Sequence, residues 1–252
     1  MGKQKIILVT GANSKLGESI VQKLLAAKHK VYRGQRKGGD ITIDVSSQES
    51  CERAIQKIIK LQKRLDVVVN VAGVTESGTI LNSSPEQFEN LLAVNALGQM
   101  RVNLLAAQQM VSQKSGQIIN ITSLSGRVPL PGFGIYSASK SASESLGEVL
   151  HYELISSNVR VTNIAPGAIN FSVDSPKQLA HRPVREKIPL LKFLLPMTTP
   201  EKIAHEIVRL IDSANNPIRI TMGVDAQVIT FLYRFLPSFI FEKIILYLWQ
   251  KK

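Results

Sequence analysis

The sequence predicts a doubly wound α/β fold, one mainly parallel sheet with helices on both faces in a single domain, and three observations carry that expectation. Short apolar, β-branched runs alternate with amphipathic helical segments along the first 223 residues. One of those runs, Val67-Val-Val69, is apolar without alternation, as a strand covered on both faces requires. No repeat, low-complexity tract or linker divides the 252 residues, a length that can enclose one full core.

The first strand, residues 6–10, ends at Gly11, and an amphipathic pattern with Ile20, Val21, Leu24 and Leu25 follows. Between them, Thr10-Gly-Ala-Asn-Ser-Lys-Leu-Gly17 reads as a dinucleotide loop. Gly11 allows the tight turn, Gly17 lets helix pack closely on strand, and the helix N-terminus faces a pyrophosphate. Asn13, Ser14, Lys15 and Leu16 are the binding candidates between the two glycines. The second strand, residues 31–34, leads into Gln35-Arg36-Lys37. An acid near this point usually holds a free ribose 2′-hydroxyl, whereas arginine suits a 2′-phosphate. Here Gln35 stands in the acid's place, and Arg33, Arg36, Lys37 and Lys15 favour NADP(H). Gly38-Gly-Asp40 then runs directly into Ile41-Thr-Ile-Asp44, leaving no room for a crossover helix. An extended loop is expected there, with the adenosine end of the site open.

A helix over 50–65 carries Ile55, Ile58, Ile59 and Leu61. The valine strand ends at Asn70-Val-Ala-Gly73, so that Asn70, Ala72 and Gly73 floor the cofactor site. Another helix starts at Ser84-Pro-Glu86, with Pro85 at a tolerated first-turn position. It presents Asn95 on its apolar side, either as an internal hydrogen-bond bracket or as a catalytic residue. The fifth strand, 118–123, places Ser123 at its carboxyl end, where ligands gather in open α/β sheets. The sixth, 159–165, is closed by Pro166-Gly167. Residues 171–199 contain four prolines and suit a lid over substrate. A helix over 200–211 and a short strand over 218–222 complete the sheet.

Tyr136-Ser-Ala-Ser-Lys140 puts a phenol and an ammonium on one helical face. A positive charge about 4 Å from the phenol oxygen, at an effective dielectric of about 20, favours the phenolate by roughly 4 kcal/mol. Ser123 then polarises a substrate carbonyl or alcohol while Tyr136 gives or takes its proton.

In this order and at these separations the motifs resemble the short-chain dehydrogenase/reductase family across roughly residues 5–223, which implies a Rossmann-like sheet. The resemblance implies that Tyr136 is the acid/base and that Lys140 favours its phenolate and holds the nicotinamide ribose. Ser123 polarises the carbonyl, and Asn95 positions a water in a proton relay. Asp44-Val45 is similar to the family's adenine contact, and Pro166-Gly167 with Ile169 to its nicotinamide-amide contact. Two positions depart from the pattern. Lys15 replaces the middle glycine of the loop, as in NADPH-using members with a basic residue there. Phe171 occupies the place of the usual amide-binding threonine, with Asn170 and Ser172 as stand-ins. The implied activity is NADP(H)-dependent hydride transfer to or from a carbonyl or secondary alcohol of an apolar substrate, lipid-, steroid-, retinoid- or acyl-like. A 3-oxoacyl-(acyl-carrier-protein) reductase is the alternative enzyme, its acidic carrier docking on the basic surface. A nucleotide-sensing binding protein on the same scaffold is the alternative of another class, and the intact Ser123, Tyr136 and Lys140 argue against it. Members of the family often form dimers or tetramers.

A net charge of +12 points to anionic partners, but no nucleic-acid motif accompanies it. The one cysteine, Cys51, rules out an internal disulfide. The four histidines show no metal-ligand spacing, and no metal is expected. The N-terminal apolar run is too short for a signal peptide, so a cytoplasmic chain is expected, with the inner face of a membrane as a site of association. Residues 1–225 form the NADP(H)-binding catalytic domain in this reading. Residues 226–252 form an apolar and basic helical tail that is not an independent domain. After Pro237, the residues Ile240, Phe241, Ile244, Ile245 and Leu248 line one helical face. The tail lies on a membrane surface, packs on a partner subunit, or packs on its own core.

Overall fold

The computed structural model describes residues 3–171, 196–213 and 215–250. Seven parallel strands form one sheet in the order β3-β2-β1-β4-β5-β6-β7. They are β1 (Ile6–Thr10), β2 (Lys30–Gln35), β3 (Ile41–Thr42), β4 (Val67–Asn70), β5 (Gly116–Ile121), β6 (Val159–Pro166) and β7 (Arg219–Met222). The helices are α1 (Lys15–Ala26), α2 (Gln48–Gln62), α3 (Pro85–Leu91), α4 (Leu97–Ser112), α5 (Gly134–Leu154), α6 (Pro200–Asp212), α7 (Val224–Phe235) and α8 (Ser238–Gln250).

Alternate strand residues feed two cores. Leu8, Val68, Ile118 and Val161 face one side, packed with Ile55 and Ile58 of α2 and Val102 and Met110 of α4. Ile7, Val9, Val67, Val69 and Ile119 face the other, against Ile20 and Leu24 of α1 and Ile203 and Ile207 of α6. This two-sided burial is why the central strands read as unbroken apolar runs. Cys51 is wholly buried in the first core, and burial pushes its thiol up to about 11, so it serves as a packing residue.

Local chemistry sets the boundaries. Helix α2 begins two residues earlier than the expected 50 because Ser47 caps it, its Oγ accepting from Ser50 N, and it ends where Lys63 turns left-handed at φ 60°. A reciprocal capping box, Ser84 with Gln87, opens α3. The single helix expected through Asn95 is instead α3 and α4 joined by a π-turn over Leu92–Ala96. Only five residues link β2 to the parallel β3, which they achieve with Gly38 and Gly39 at positive φ. The link is anchored by an Arg33–Asp40 ion pair at 3.0 Å, with Asp40 also accepting from Arg33 N. This corrects the reading of Arg33 as part of an acid-free basic cluster, since Asp40 folds back to neutralise it.

Most of the expected lid lies outside the described residues, Ser172 with it. At its two ends, Asn170 N donates to Thr198 O and Thr198 N to Ala168 O. The tail is two helices, the second following Pro237 as expected. Helix α7 runs through position 225, and its Asp225 carboxylate accepts from Ala168 N at 2.8 Å. Ala226 sits in a buried cluster with Leu124 and Val128, against which Phe241 of α8 also packs. No helix among the described residues is long and apolar enough to cross a membrane.

Candidate active site

The carboxyl ends of β1 and β4 adjoin at the point where strand order reverses, the crevice in which open α/β sheets bind ligands. Gly11 has φ +64°, and a Cβ there would meet Ala72 N at 2.7 Å, so conformation and close approach both demand glycine. A Cβ on Gly17 would sit 2.3 Å from Gly11 O. Ser14 closes the loop, accepting from Gly17 N at 3.0 Å and donating to Gly11 O at 2.9 Å. Leu16 is buried, whereas Asn13, Ser14 and Lys15 are exposed. Lys15 is the first residue of α1 and is not among the positive-φ residues, so a side chain is accommodated where a glycine is usual.

Across the crevice, Thr10 Oγ1 accepts from Val71 N and Ala72 N at 3.2 and 3.3 Å. Arg36 and Lys37 are exposed just beyond β2, and Gln35 donates to Lys37 O at 3.0 Å. The hydroxyl and amide of Ser46, both donating to Asp44 Oδ1, hold the Asp44 carboxyl below its ordinary range, and the Arg36 charge adds to this. Val45 is buried against Gly98, where a Cβ would be 2.9 Å from Val45 Cγ2. A glycine cradle, a helix N-terminus with its first-turn N–H groups, and three exposed cations fit the phosphates of a dinucleotide.

Helix α5 buries a polar stripe, Tyr136, Ser139, Lys140, Ser143 and Glu144, at helical spacing. Tyr136 and Lys140 are 8% and 6% exposed. The Lys140 ammonium donates to Ile121 O, at the end of β5, at 3.0 Å. The turn after Ser123 lies directly on this helix: Ser141 Oγ donates to Gly126 O at 2.8 Å, and a Cβ on Gly126 would strike Lys140 O at 2.8 Å. Ser123 Oγ accepts from Ser125 N at 3.1 Å, which leaves its O–H to be donated elsewhere. The Phe133 ring meets Tyr136 edge-on, with centroids 6.4 Å apart.

Asn95 is 1% exposed and forms a bracket. Its Oδ1 accepts from Val74 N at 2.9 Å, and its Nδ2 donates to Val74 O and Ser139 Oγ at 2.9 and 3.0 Å. Gly73 lies beneath it, where a Cβ would be 3.1 Å from Asn95 Oδ1 and 3.5 Å from Lys140 Nζ. The Asn70 carboxamide likewise turns inward, donating to Asn103 Oδ1 at 2.6 Å and Asn120 Oδ1 at 3.0 Å.

That last contact belongs to a ladder the sequence reading missed. Thr10, Asn70, Asn120 and Asn163 are in register across β1, β4, β5 and β6. Asn120 donates to Asn163 Oδ1 at 3.0 Å, and Asn163 donates to Glu144 O at 2.8 Å. A second omission is Arg127, four residues after Ser123. Its guanidinium donates to Glu144 Oε1 through Nε at 2.9 Å and to Thr221 Oγ1 at 2.7 Å. The amide residues Asn120 and Asn163 in the middle of apolar strands were the available signal, because a buried amide must find partners. Nothing local announces Arg127. On the far side, Pro166 is buried and Gly167 N donates to Met222 O at 2.8 Å. Ile169 and Phe171 pack on the second core.

A cavity of about 880 Å³ opens between the loops at 79–81 and 129–134 and the C-terminal helices, with Gly134, two residues before Tyr136, in its wall. A second cavity, about 250 Å³ and lined by Gln48, Leu97 and Arg101, lies away from the tyrosine on α4.

Residues 5–181 match a family model described as short chain dehydrogenase. The chain is 28% identical over 242 residues to a 3-ketodihydrosphingosine reductase of Bacteroides thetaiotaomicron, covering 89% of this chain and 90% of that one. It is 29% identical over 225 residues to a 3-oxoacyl-[acyl-carrier-protein] reductase of Aquifex aeolicus, covering 82% and 89%. Among solved structures it is similar to a short chain dehydrogenase of Burkholderia cenocepacia in complex with NADP. That likeness has a TM-score of 0.75 and 25% identity, over 92% of this chain and 94% of that one.

Proposed function

Because the chain belongs to the short-chain dehydrogenase family and is therefore an oxidoreductase of that type, we propose that it is an NADPH-dependent reductase of an apolar 3-oxo compound. The observation that carries this reading is the buried Tyr136–Lys140 pair on α5 with the Ser123 turn strapped across it. The 3-oxo group is supported by the names of the two relatives above, one of them a carrier-protein reductase. That activity remains the second reading for the net charge of +12.

The residues fit a nicotinamide dinucleotide. Gly11, Ser14, Lys15 and Gly17 would hold its phosphates, Arg36 and Lys37 its 2′-phosphate, Asp44 and Val45 its adenine, and Pro166, Gly167 and Ile169 its nicotinamide. When bound it supplies hydride. Ser123 donates its free O–H to the substrate oxygen, and Tyr136 transfers a proton to the same oxygen. Lys140, fixed by Ile121 O, stabilises the phenolate left behind. Asn95 and Asn70 act as positioning residues. The Asn95 carboxamide ties the strand end at Val74 to α5, leaving neither of its N–H groups for a water relay.

NADPH oxidation against a panel of 3-oxo esters, ketones and acyl thioesters tests the reading, and inactivity against all of them with NADPH bound overturns it. Discrimination between cofactors is expected to be at least about tenfold for NADPH over NADH. One charge-assisted contact to the 2′-phosphate contributes about 1.5 to 3 kcal/mol, and Arg36→Ala shrinks the ratio. Equal kcat/KM for the two cofactors refutes the assignment of Arg36.

We further propose a homo-oligomer through the exposed apolar faces of α4 and α5, where Leu104 and Val149 lie bare. Peripheral membrane contact is proposed through the outer face of α7 and α8, which exposes Phe231, Phe235, Phe239 and Tyr247. The full chain should sediment with acidic vesicles, less so at high salt, and a chain lacking 238–252 should not. If the full chain stays in the supernatant at both salt concentrations, the tail does not bind membranes.

A further inference from the structure

Proton and hydride transfer leave the large cavity beside α5 without a role. Ile80, Leu130, Pro131, Phe241, Ile245 and Trp249 contribute to its wall. Its about 880 Å³ falls within the range of small-molecule sites. Helices α7 and α8 meet through Tyr233 and Phe241, whose rings lie 5.1 Å apart edge-to-face, so the tail forms one side of the chamber as a unit. The loops opposite are strapped together. Gly78 N donates to Gly132 O at 2.8 Å, and Ile80 fills the space over Gly134, where a Cβ would be 2.4 Å from Ile80 Cγ1. Trp249 leans on Gly132, where a Cβ would be 3.3 Å from the indole. Among the described lining residues Glu242 is the one carboxylate, and it is exposed. Thr79, Tyr233 and Ser238 bring the other polar side chains, and the rest of the wall is apolar or glycine. It suits a flexible chain that is polar only at its reacting end.

We propose that this chamber binds the unbranched alkyl chain of the substrate, with the reacting carbonyl at the Tyr136 end and the chain lying between the 129–134 loop and α8. The placement of the carbonyl rests on the reductase reading, whereas binding of the chain does not require turnover.

Trp249 is the sole tryptophan of the chain, so its fluorescence reports occupancy directly. The full-length protein, saturated with NADP+ for binding and with NADPH for turnover, is titrated with straight-chain methyl ketones of increasing length. The dissociation constant read from Trp249 should fall about fourfold per added methylene until the chamber is full. A cyclic ketone of equal carbon number should bind more weakly. Ile245→Phe should move the optimum to shorter chains, with a cofactor titration verifying that the fold persists. Leu130→Phe, from the opposite wall, makes the same test if that variant does not fold. Silent Trp249 emission with a KM independent of length overturns the chamber, as does a length profile that neither substitution moves. A length-dependent Trp249 signal without NADPH oxidation supports the chamber and sinks the reductase reading. Oxidation without length dependence and without a Trp249 response does the reverse.

Discussion

Tyr136→Phe lowers kcat by about 10² to 10⁴, the usual contribution of general acid/base catalysis, while leaving cofactor binding intact. The substitution removes one hydroxyl and keeps the ring, so the edge contact to Phe133 and the burial on α5 persist. Lys140 remains held by Ile121 O, and Ser123 still polarises the substrate oxygen. What is lost is the group that moves the proton. Steady-state turnover beside a cofactor fluorescence titration separates the two effects. Retention of more than about a tenth of wild-type kcat, a loss that falls short of that range, contradicts the role given to Tyr136.

Arg127→Ala is expected to have the largest effect on stability, about 3 to 5 kcal/mol, because it strands a buried carboxylate. The side chains of Arg127 and Glu144 are 10% and 7% exposed, so water cannot replace the lost partner. The guanidinium also bonds Thr221 of β7 and Asn163 O of β6, so its removal unties the Ser123 turn from two strands and from α5. Against a total stability of about 5 to 15 kcal/mol this is severe. Replacing both partners, Arg127→Met with Glu144→Leu, should recover most of the loss, since no charge is then left buried alone. Urea midpoints of the two variants decide it. A single variant within about 1 kcal/mol of the wild type shows that Glu144 finds another partner or neutralises cheaply.

The sheet was legible because its signals are local. Val67-Val-Val69 could only lie in a covered strand, and Gly11 could only mark a turn, which its φ of +64° bears out. The family motifs were legible for the same reason, each being a short run with fixed spacing. The Asn70–Asn120–Asn163 ladder was not, because its members are 43 and 50 residues apart and meet only through strand register. Arg127 escaped for a like reason: an arginine in a loop reads as solvated until the fold brings Glu144 and Thr221 around it. The pairing of Arg33 with Asp40 was missed because two glycines at positive φ reverse a chain that otherwise reads as extended. The apolar tail was visible, and so was the helix after Pro237, but which of its side chains turn inward depends on what it packs against, as Phe241 does on the Leu124 and Val128 cluster.

The two-residue strand β3 has a meaning beyond the cofactor. Every open sheet ends in unpaired backbone groups that can template the strand of another molecule. Here one border is only Ile41 and Thr42 long, too short to nucleate such a pairing. Arg33 and Asp40 set a charged pair beside it. At the opposite border, the four-residue β7 opens with Arg219, ion-paired to Glu148 and half exposed. A chain with so many bare aromatic side chains on its last two helices is thus guarded against fibrous self-association where its sheet is most vulnerable.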